Sequence, residues 1–334
     1  MKKQLIAVAA SVLLLFGVTA CGSAGAANSG PAVPDGPSRT VVDAEGTEVK
    51  VPENPERIVA LSEPTLDGLL ALDIEPIGAV SGRGQSAVPN YLQDRAGDIK
   101  LLGGVAQPNF EAIGAAKPDL ILVDGTSINN NPPVIAALRR IAPVVYTGYA
   151  GGDWRKNFEL VAEATNKQDA AAKVLADYDE VIAAAKPQLS QFDGKTFSIV
   201  RWQGNSAALI LKELPPGRAL SDLGLARPAN QDREGRGHSE PVSLENLTEI
   251  DADYIFFGTL GGSSVGNPNA GGTADIEGAE LALAEAAKAP GFTSLNAYQN
   301  DQIILVDGSA WTSTGGPILM RTIVDNIIEA LVTS

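Results

Sequence analysis

Chemistry in this chain is limited by two singletons: Cys21 is the only cysteine and His238 the only histidine. Zinc cages of four cysteines, of paired cysteines and histidines, or of three histidines therefore cannot form, and no metal held directly by the protein is expected. A Cys/His dyad also fails if Cys21 serves elsewhere, and a Ser-His-Asp triad could draw only on His238. Residues Gly262-Ser263-Ser264-Val265-Gly266 spell Gly-x-Ser-x-Gly, but a nucleophile elbow needs a helix directly after the turn, and Asn267-Pro268-Asn269-Ala270-Gly271-Gly272 follows instead. The same glycine-rich stretch, Gly258 to Thr273, lacks both Gly-Lys-Ser/Thr and the Gly-x-Gly-x-x-Gly order, so it reads as a surface loop or cleft rim. A secreted hydrolase or a carboxylate-pair enzyme is the alternative class. Better suited to recognition are arginines and tryptophans near strand ends, together with two glutamates in matching settings.

Those settings show how the chain is organised. Phe110-Glu111 precedes the Asp119-led run Leu120-Ile121-Leu122-Val123, and Leu244-Glu245 precedes the Asp253-led run Tyr254-Ile255-Phe256-Phe257, with eight positions from Glu to Asp in both. Asn109 and Ser243 stand as N-caps, so each Glu falls in the first turn of a helix. There a carboxylate complements the helix dipole by ~0.3 to 1 kcal/mol, but its recurrence in two halves points beyond stability. In the first half, β-rich runs at Arg57 to Ser62, Glu75 to Val80, Asp119 to Asp124 and Pro143 to Gly148 alternate with helical patterns at Thr65 to Asp73, Asn109 to Lys117 and Pro132 to Ala142. Such alternation predicts an α/β lobe with a largely parallel sheet. Val174, Leu175, Tyr178, Val181, Ile182, Ala185 and Leu189 then recur at helical spacing, predicting one long helix. Strand-like runs return at Thr196 to Trp202, Ala208 to Leu211, Tyr254 to Thr259 and Gln302 to Asp307, before a helical pattern from Ile318 to Leu331. The expected fold class is α/β: two lobes with mainly parallel sheets, bridged by one long α-helix.

Composition bounds the class. The 334 residues are 44% hydrophobic, enough for a sizeable core, and 40 acidic against 25 basic residues give a net charge of -15. That balance disfavours nucleic acid, whose phosphates call for clustered Lys and Arg. Lys2 and Lys3 precede an apolar stretch from Leu5 to Val18, and Val18-Thr19-Ala20-Cys21-Gly22 follows with small residues at a cleavage point. The segment is an export signal too short for a comfortable span. It resembles a bacterial lipoprotein lipobox with Cys21 as the lipidated residue, although Val18 stands where Leu is usual. Two or more acyl chains, palmitate among them, would then anchor the mature chain to the outer face of the cytoplasmic membrane. Removing Lys2 and Lys3 takes the charge from -15 to -17. The expected organisation is a signal over 1–20, a Gly/Ala/Ser/Pro tether over 21–38, an N-terminal lobe over 39–155, a connecting helix region over 156–190 and a C-terminal lobe over 191–334.

Three blocks carry a family resemblance: Pro55-Glu56-Arg57-Ile58-Val59-Ala60-Leu61-Ser62, Leu70-Ala71-Leu72-Asp73-Ile74-Glu75-Pro76-Ile77-Gly78, and Pro108-Asn109-Phe110-Glu111-Ala112-Ile113 with Lys117-Pro118-Asp119-Leu120-Ile121. With Val242-Ser243-Leu244-Glu245, and Trp311 before Gly315-Gly316-Pro317, the ordered set from Val51 to about Leu331 resembles the substrate-binding proteins of ABC importers for iron-siderophores, cobalamin and haem. The resemblance implies two α/β lobes on a rigid backbone helix at about Asn157 to Gln188. It also implies that Glu111 and Glu245 meet arginines of the permease, for which a guanidinium fork is a suitable partner. A ferric siderophore is the implied ligand, bound by a monomer that serves a permease and its ATPase, with no cofactor and no reaction. Cobalamin and haem are the alternative ligands, haem being disfavoured because its iron usually takes an axial side chain and His238 stands alone.

From that architecture the ligand is expected between the lobes, where loops at the sheet edges converge. First-lobe candidates are Ser62 with Glu63, Arg83 in Ser81-Gly82-Arg83-Gly84, and Thr126 with Ser127 after a strand end. Second-lobe candidates are Arg201 and Trp202 at one strand end, Arg218 after Pro215-Pro216-Gly217, Arg236 and His238 in a polar loop, and Trp311 beyond the last strand. Aromatic faces and guanidinium donors suit a bulky oxygen-coordinated iron chelate. The competing reading makes Trp202 and Trp311 core anchors and places Arg218, Arg227, Arg233 and Arg236 on a solvated surface. Trp154 is expected to pack at the start of the helical region.

Overall fold

The computed structural model describes residues 32–125 and 131–333. The Cys21 lipidation, the signal, most of the tether, Thr126 and Ser127 lie outside these residues. A hairpin of β1 (Ser38–Val42) and β2 (Glu48–Pro52) precedes the first lobe. That lobe runs β3 (Ile58–Ala60), α1 (Glu63–Ala71), β4 (Gly78–Ser81), α2 (Gln93–Ala96), β5 (Leu101–Gly104), β6 (Gln107–Pro108), α3 (Phe110–Ala116), β7 (Leu120–Val123), α4 (Pro132–Arg139) and β8 (Val144–Tyr146). Its six strands lie in the order β6-β5-β4-β3-β7-β8, parallel except where β6 turns back on β5. Apolar runs such as Leu120-Ile121-Leu122-Val123 are buried along their whole length because helices cover both faces of a parallel sheet.

The connecting region is helical, but Asn166 breaks it. With φ +59°, Asn166 takes the left-handed conformation that ends α5 (Trp154–Thr165), its N–H donating to the Ala162 and Glu163 carbonyls. The long helix is α6 (Gln168–Ala185), continued by a 3-10 turn through Lys186–Phe192. Trp154 packs edge-on against Tyr178 of α6 at 5.1 Å, as its place at the start of the helical region predicts.

The second lobe comprises β9 (Phe197–Gln203), β10 (Ser206–Leu209), α7 (Pro215–Leu223), β11 (Glu240–Val242), a 3-10 helix at Leu244–Ile250, β12 (Tyr254–Gly258), α8 (Ile276–Ala286), α9 (Asn296–Gln299), β13 (Ile303–Leu305), α10 (Gly308–Trp311) and α11 (Pro317–Ile328). Its strand order is β11-β10-β9-β12-β13, with β9, β12 and β13 parallel and the β10 and β11 edge antiparallel. The change of direction follows from a two-residue loop, Gly204-Asn205, in which Gly204 supplies φ +59°. One apolar cluster joins β9, α6, α7 and α11, and another fills the opposite face of β9 and β12 around Trp202, Phe257 and Phe292.

The duplicated Asp has the same structural use in both lobes. Asp119, before β7, accepts hydrogen bonds from Glu56 and Arg57 N–H at the entry to β3, at 2.9 and 3.0 Å. Asp253, before β12, accepts from Thr196 N–H at the entry to β9, at 2.9 Å. In each case the carboxylate staples the start of one central strand to its parallel neighbour.

Candidate functional site

Loops at the strand ends of the two lobes enclose a cleft of about 540 Å³. Arg83, Gly125, Tyr149 and Ala150 line it from the first lobe, and Arg201, Arg236, His238 and Ser239 from the second, over a floor of Thr312, Ser313 and Thr314. The volume lies within the usual range for a small-molecule site. No Asp or Glu is among these lining residues.

Strand periodicity delivers the central cation. Along β9, Phe197, Ile199 and Arg201 share one face while Val200 and Trp202 share the other, so Arg201, next on that face beyond the buried Ile199, carries its guanidinium to the cleft. An Nη2–H of Arg201 donates to Ser239 Oγ, which orients the group. Burial pushes the Arg201 pKa down, and the positive charge of Arg83 across the cleft pushes it in the same direction. Arg83 is set by its own backbone: its N–H donates to Glu63 Oε1 at 2.7 Å, and Gly84 beside it has φ +69°. Glu63 is buried at the N-terminus of α1, and the same oxygen accepts from Ser313 Oγ of the floor at 3.0 Å.

The loop bearing Arg236 and His238 is arched over a buried carboxylate. Glu213 accepts hydrogen bonds from Gly235 N–H at 2.7 Å and Gly237 N–H at 3.1 Å. Gly237, at φ +83°, presses on the first lobe so closely that a Cβ there would stand 2.4 Å from the Ala150 carbonyl oxygen. His238 Nδ1 donates to the Ser239 carbonyl at 2.9 Å, so Nδ1 carries the hydrogen. At the other end of the cleft, a Cβ on Gly84 would stand 2.5 Å from the Leu260 carbonyl oxygen, and Ser263 Oγ donates to the Gly84 carbonyl at 3.4 Å. The glycine-rich stretch thus packs against the loop that bears Arg83.

Arg83, Arg201, Arg236 and His238 are therefore brought together, while four other candidates lie elsewhere. Trp202 is in the core: its ring meets Phe292 edge-on at 5.5 Å and its Nε1–H donates to the Gly204 carbonyl at 2.8 Å. Trp311 is fully buried, stacked on Phe256 at 4.3 Å with Nε1–H donating to Asn326 Oδ1 at 3.1 Å. Ser62 is a buried N-cap, its Oγ accepting from Thr65 N–H at 3.3 Å while its own N–H donates to Thr65 Oγ1 at 3.1 Å. Arg218 is spent behind the cleft wall, donating to the Glu213 carbonyl at 3.0 Å and the Gly151 carbonyl at 3.3 Å, and it lines a separate outer depression with Trp154 and Asp222. Of the arginines read as surface groups, Arg227 is buried, donating to the Ile210 carbonyl and Gln231 Oε1. Arg233 is on the surface, paired with Glu240.

Sequence reading missed Tyr149, Ser239, the Thr312-Ser313-Thr314 floor and the supporting Glu213. The floor directly follows α10, next to the Trp311 candidate, and the flanking Gly148, Gly151 and Gly152 marked Tyr149. Nothing in the sequence marked Glu213, whose role rests on contacts 22 and 24 residues away.

Glu111 and Glu245 are both exposed in the first turn of a helix, α3 and the 3-10 helix after β11. Asn109 Oδ1 caps the first by accepting from Ala112 N–H at 3.0 Å, and Ser243 Oγ caps the second by accepting from Glu245 N–H at 3.3 Å. Among the described residues no group of three or more His, Cys, Asp or Glu is placed to hold a metal ion, and no helix is long and apolar enough to cross a membrane.

Known proteins share this architecture. The probable siderophore-binding lipoprotein YfiY of Bacillus subtilis (strain 168) is 33% identical over 264 residues, 78% of this chain and 80% of YfiY. The Fe(3+)-citrate-binding protein YfmC of the same organism is 26% identical over 318 residues, 94% of this chain and 92% of YfmC. The crystal structure of Staphylococcus aureus SirA complexed with staphyloferrin B has the same fold, with a TM-score of 0.72 at 24% identity over 88% of this chain and 98% of that one. The sequence model of the periplasmic binding proteins matches residues 58–310. The chain is thus a binding protein rather than an enzyme, and it belongs to the periplasmic binding protein family.

Proposed function

We propose that this protein is a lipid-anchored extracytoplasmic receptor that takes a ferric siderophore between its lobes and hands it to an ABC permease and its ATPase. The observation that carries the reading is the cleft itself: about 540 Å³, lined from both lobes, with the guanidiniums of Arg83, Arg201 and Arg236 on its walls. Such donors recognise the oxygen periphery of a chelate whose iron is already fully coordinated, so the protein needs to supply no iron ligand. The names of YfiY and YfmC place iron carriers in relatives of this chain and support the same ligand class here.

The same reading assigns the remaining roles. Cys21 is the acylated residue that ties the receptor to the membrane, residues 21–38 are its tether, and the lobes at 39–155 and 191–334 are joined by the 156–190 region. Glu111 and Glu245 are the docking carboxylates, exposed at corresponding helix starts. The receptor works as a monomer. Calorimetric titration of the purified protein with a panel of ferric siderophores tests the reading: submicromolar binding of at least one is expected, and failure of all of them would reject it.

A further inference from the structure

Three observations about the cleft point to a narrower class of ligand. First, its cations come from both lobes, Arg83 on one side and Arg201 and Arg236 on the other. Among the described residues neither Arg201 nor Arg236 forms an ion pair with any carboxylate. Arg201 is also partly desolvated, and a guanidinium withdrawn from water without a counter-ion is costly, so a ligand that brings negative charge offsets a cost the lining residues themselves do not.

Second, the polar groups between these cations are short hydroxyls: Ser239, Thr312, Ser313 and Thr314. Hydroxyl donors and planar guanidinium forks are the groups that satisfy the several lone pairs of a carboxylate. Third, among the described residues the lining has one large aromatic side chain, Tyr149, beside the smaller His238 imidazole, because Trp202 and Trp311 are held in the two cores. Three catechol rings would find one phenol ring and one imidazole to stack on, and a cationic hydroxamate chelate would meet like charge from both lobes.

Building on the receptor reading, we infer that the cleft selects a ferric chelate of net negative charge that presents carboxylate oxygens, a citrate-type chelate, over trihydroxamates and triscatecholates. The net charge of -15, or -17 without Lys2 and Lys3, disfavours long-range attraction of anions, so the selection is made by contact inside the cleft.

The test is calorimetric titration of the purified protein with ferric citrate, a ferric citrate-dihydroxamate, ferrioxamine B as the cationic trihydroxamate, and a ferric triscatecholate. A citrate-bearing chelate should bind at least about tenfold tighter than the last two, and R201Q should reduce that advantage to about twofold or less. Ferrioxamine B or the triscatecholate binding as tightly as the citrate chelates would overturn the inference while leaving the receptor reading intact. An undiminished advantage in R201Q would also overturn it. Silence with all four chelates would remove the receptor reading, and this inference with it.

Discussion

Glu63 of the first lobe and Ser313 of the cleft floor, 250 positions apart in the chain, share a hydrogen bond of 3.0 Å from Ser313 Oγ to Glu63 Oε1. Because the same oxygen receives the Arg83 N–H at 2.7 Å, one buried carboxylate fixes both the floor and a wall of the cleft. Replacing Glu63 by Ala strands two donors, at about 1 to 3 kcal/mol for each one left unsatisfied. E63A should therefore melt lower and bind ligand about tenfold more weakly, whereas E63Q, which keeps an acceptor, should recover part of both. Denaturant titration and calorimetry on the two variants would show this; wild-type stability in E63A would contradict it.

Close approach of the lobes depends on bare backbone at Gly84 and at Gly237. At Gly237 a Cβ would intrude to 2.4 Å from the Ala150 carbonyl oxygen, at a positive φ that a β-branched residue resists. G237V should keep the lobes apart and weaken ligand binding at least about tenfold, with most of the stability retained because the clash lies between lobes rather than within a core. G224V is a control for the positive φ alone: Gly224, at φ +80°, has open space around it. Equal affinity losses in both variants would contradict the closure argument.

Asp67 gives the fold a pH signature. Its side chain accepts from the Ile318 and Leu319 N–H groups at 2.9 Å each, at the start of α11, yet complete burial outweighs these bonds and lifts its pKa to about 6. Since the folded value exceeds the unfolded one, the folded state takes up the proton first. The associated stability is full below about pH 4 and is lost as pH rises through 6. The stability of the wild type relative to D67N should fall by roughly 2 to 3 kcal/mol between pH 4 and pH 7, with other carboxylates cancelling in the difference. A pH-independent difference would contradict the assignment.

The lobes were legible because parallel strands buried on both faces leave continuous apolar runs, as at Leu120 to Val123 and Tyr254 to Phe257. The site was legible only in part. Arg201 and Trp202 are neighbours in sequence at a strand end, and both suit a cleft; period-two alternation sends one to the cleft and the other to the core beside Phe292. Arg83 and Arg236 were marked by their glycine-rich loops, whereas Ser62 and Arg218 look the same in sequence and are spent on a cap and a wall tie. Asn166 was silent in the periodicity because a single left-handed residue ends a helix without interrupting the apolar spacing around it.

The tryptophans follow from their cores. W311A should lose about 3 to 5 kcal/mol of stability, as for a fully buried large side chain, and W202F should lose less while binding ligand with unchanged affinity. Thermal melts paired with calorimetry distinguish this from a wall role, in which W202F would lose affinity and keep its stability.

Docking and capture should separate cleanly. Because Glu111 and Glu245 are exposed at helix starts and absent from the cleft lining, an E111K/E245K double variant should bind ligand as the wild type does and fail to support import. Uptake of radiolabelled iron by cells carrying the variant, set beside its dissociation constant in solution, decides the matter; normal import would reject the docking role.

The most direct measurement is retention of a labelled ferric siderophore in equilibrium dialysis by the wild type and by an R83E/R201E variant, which reverses charge on both walls of the cleft. Submicromolar retention by the wild type, weakened at least about a hundredfold in a variant of unaltered thermal stability, is the expected result. Equal retention by both proteins would contradict it.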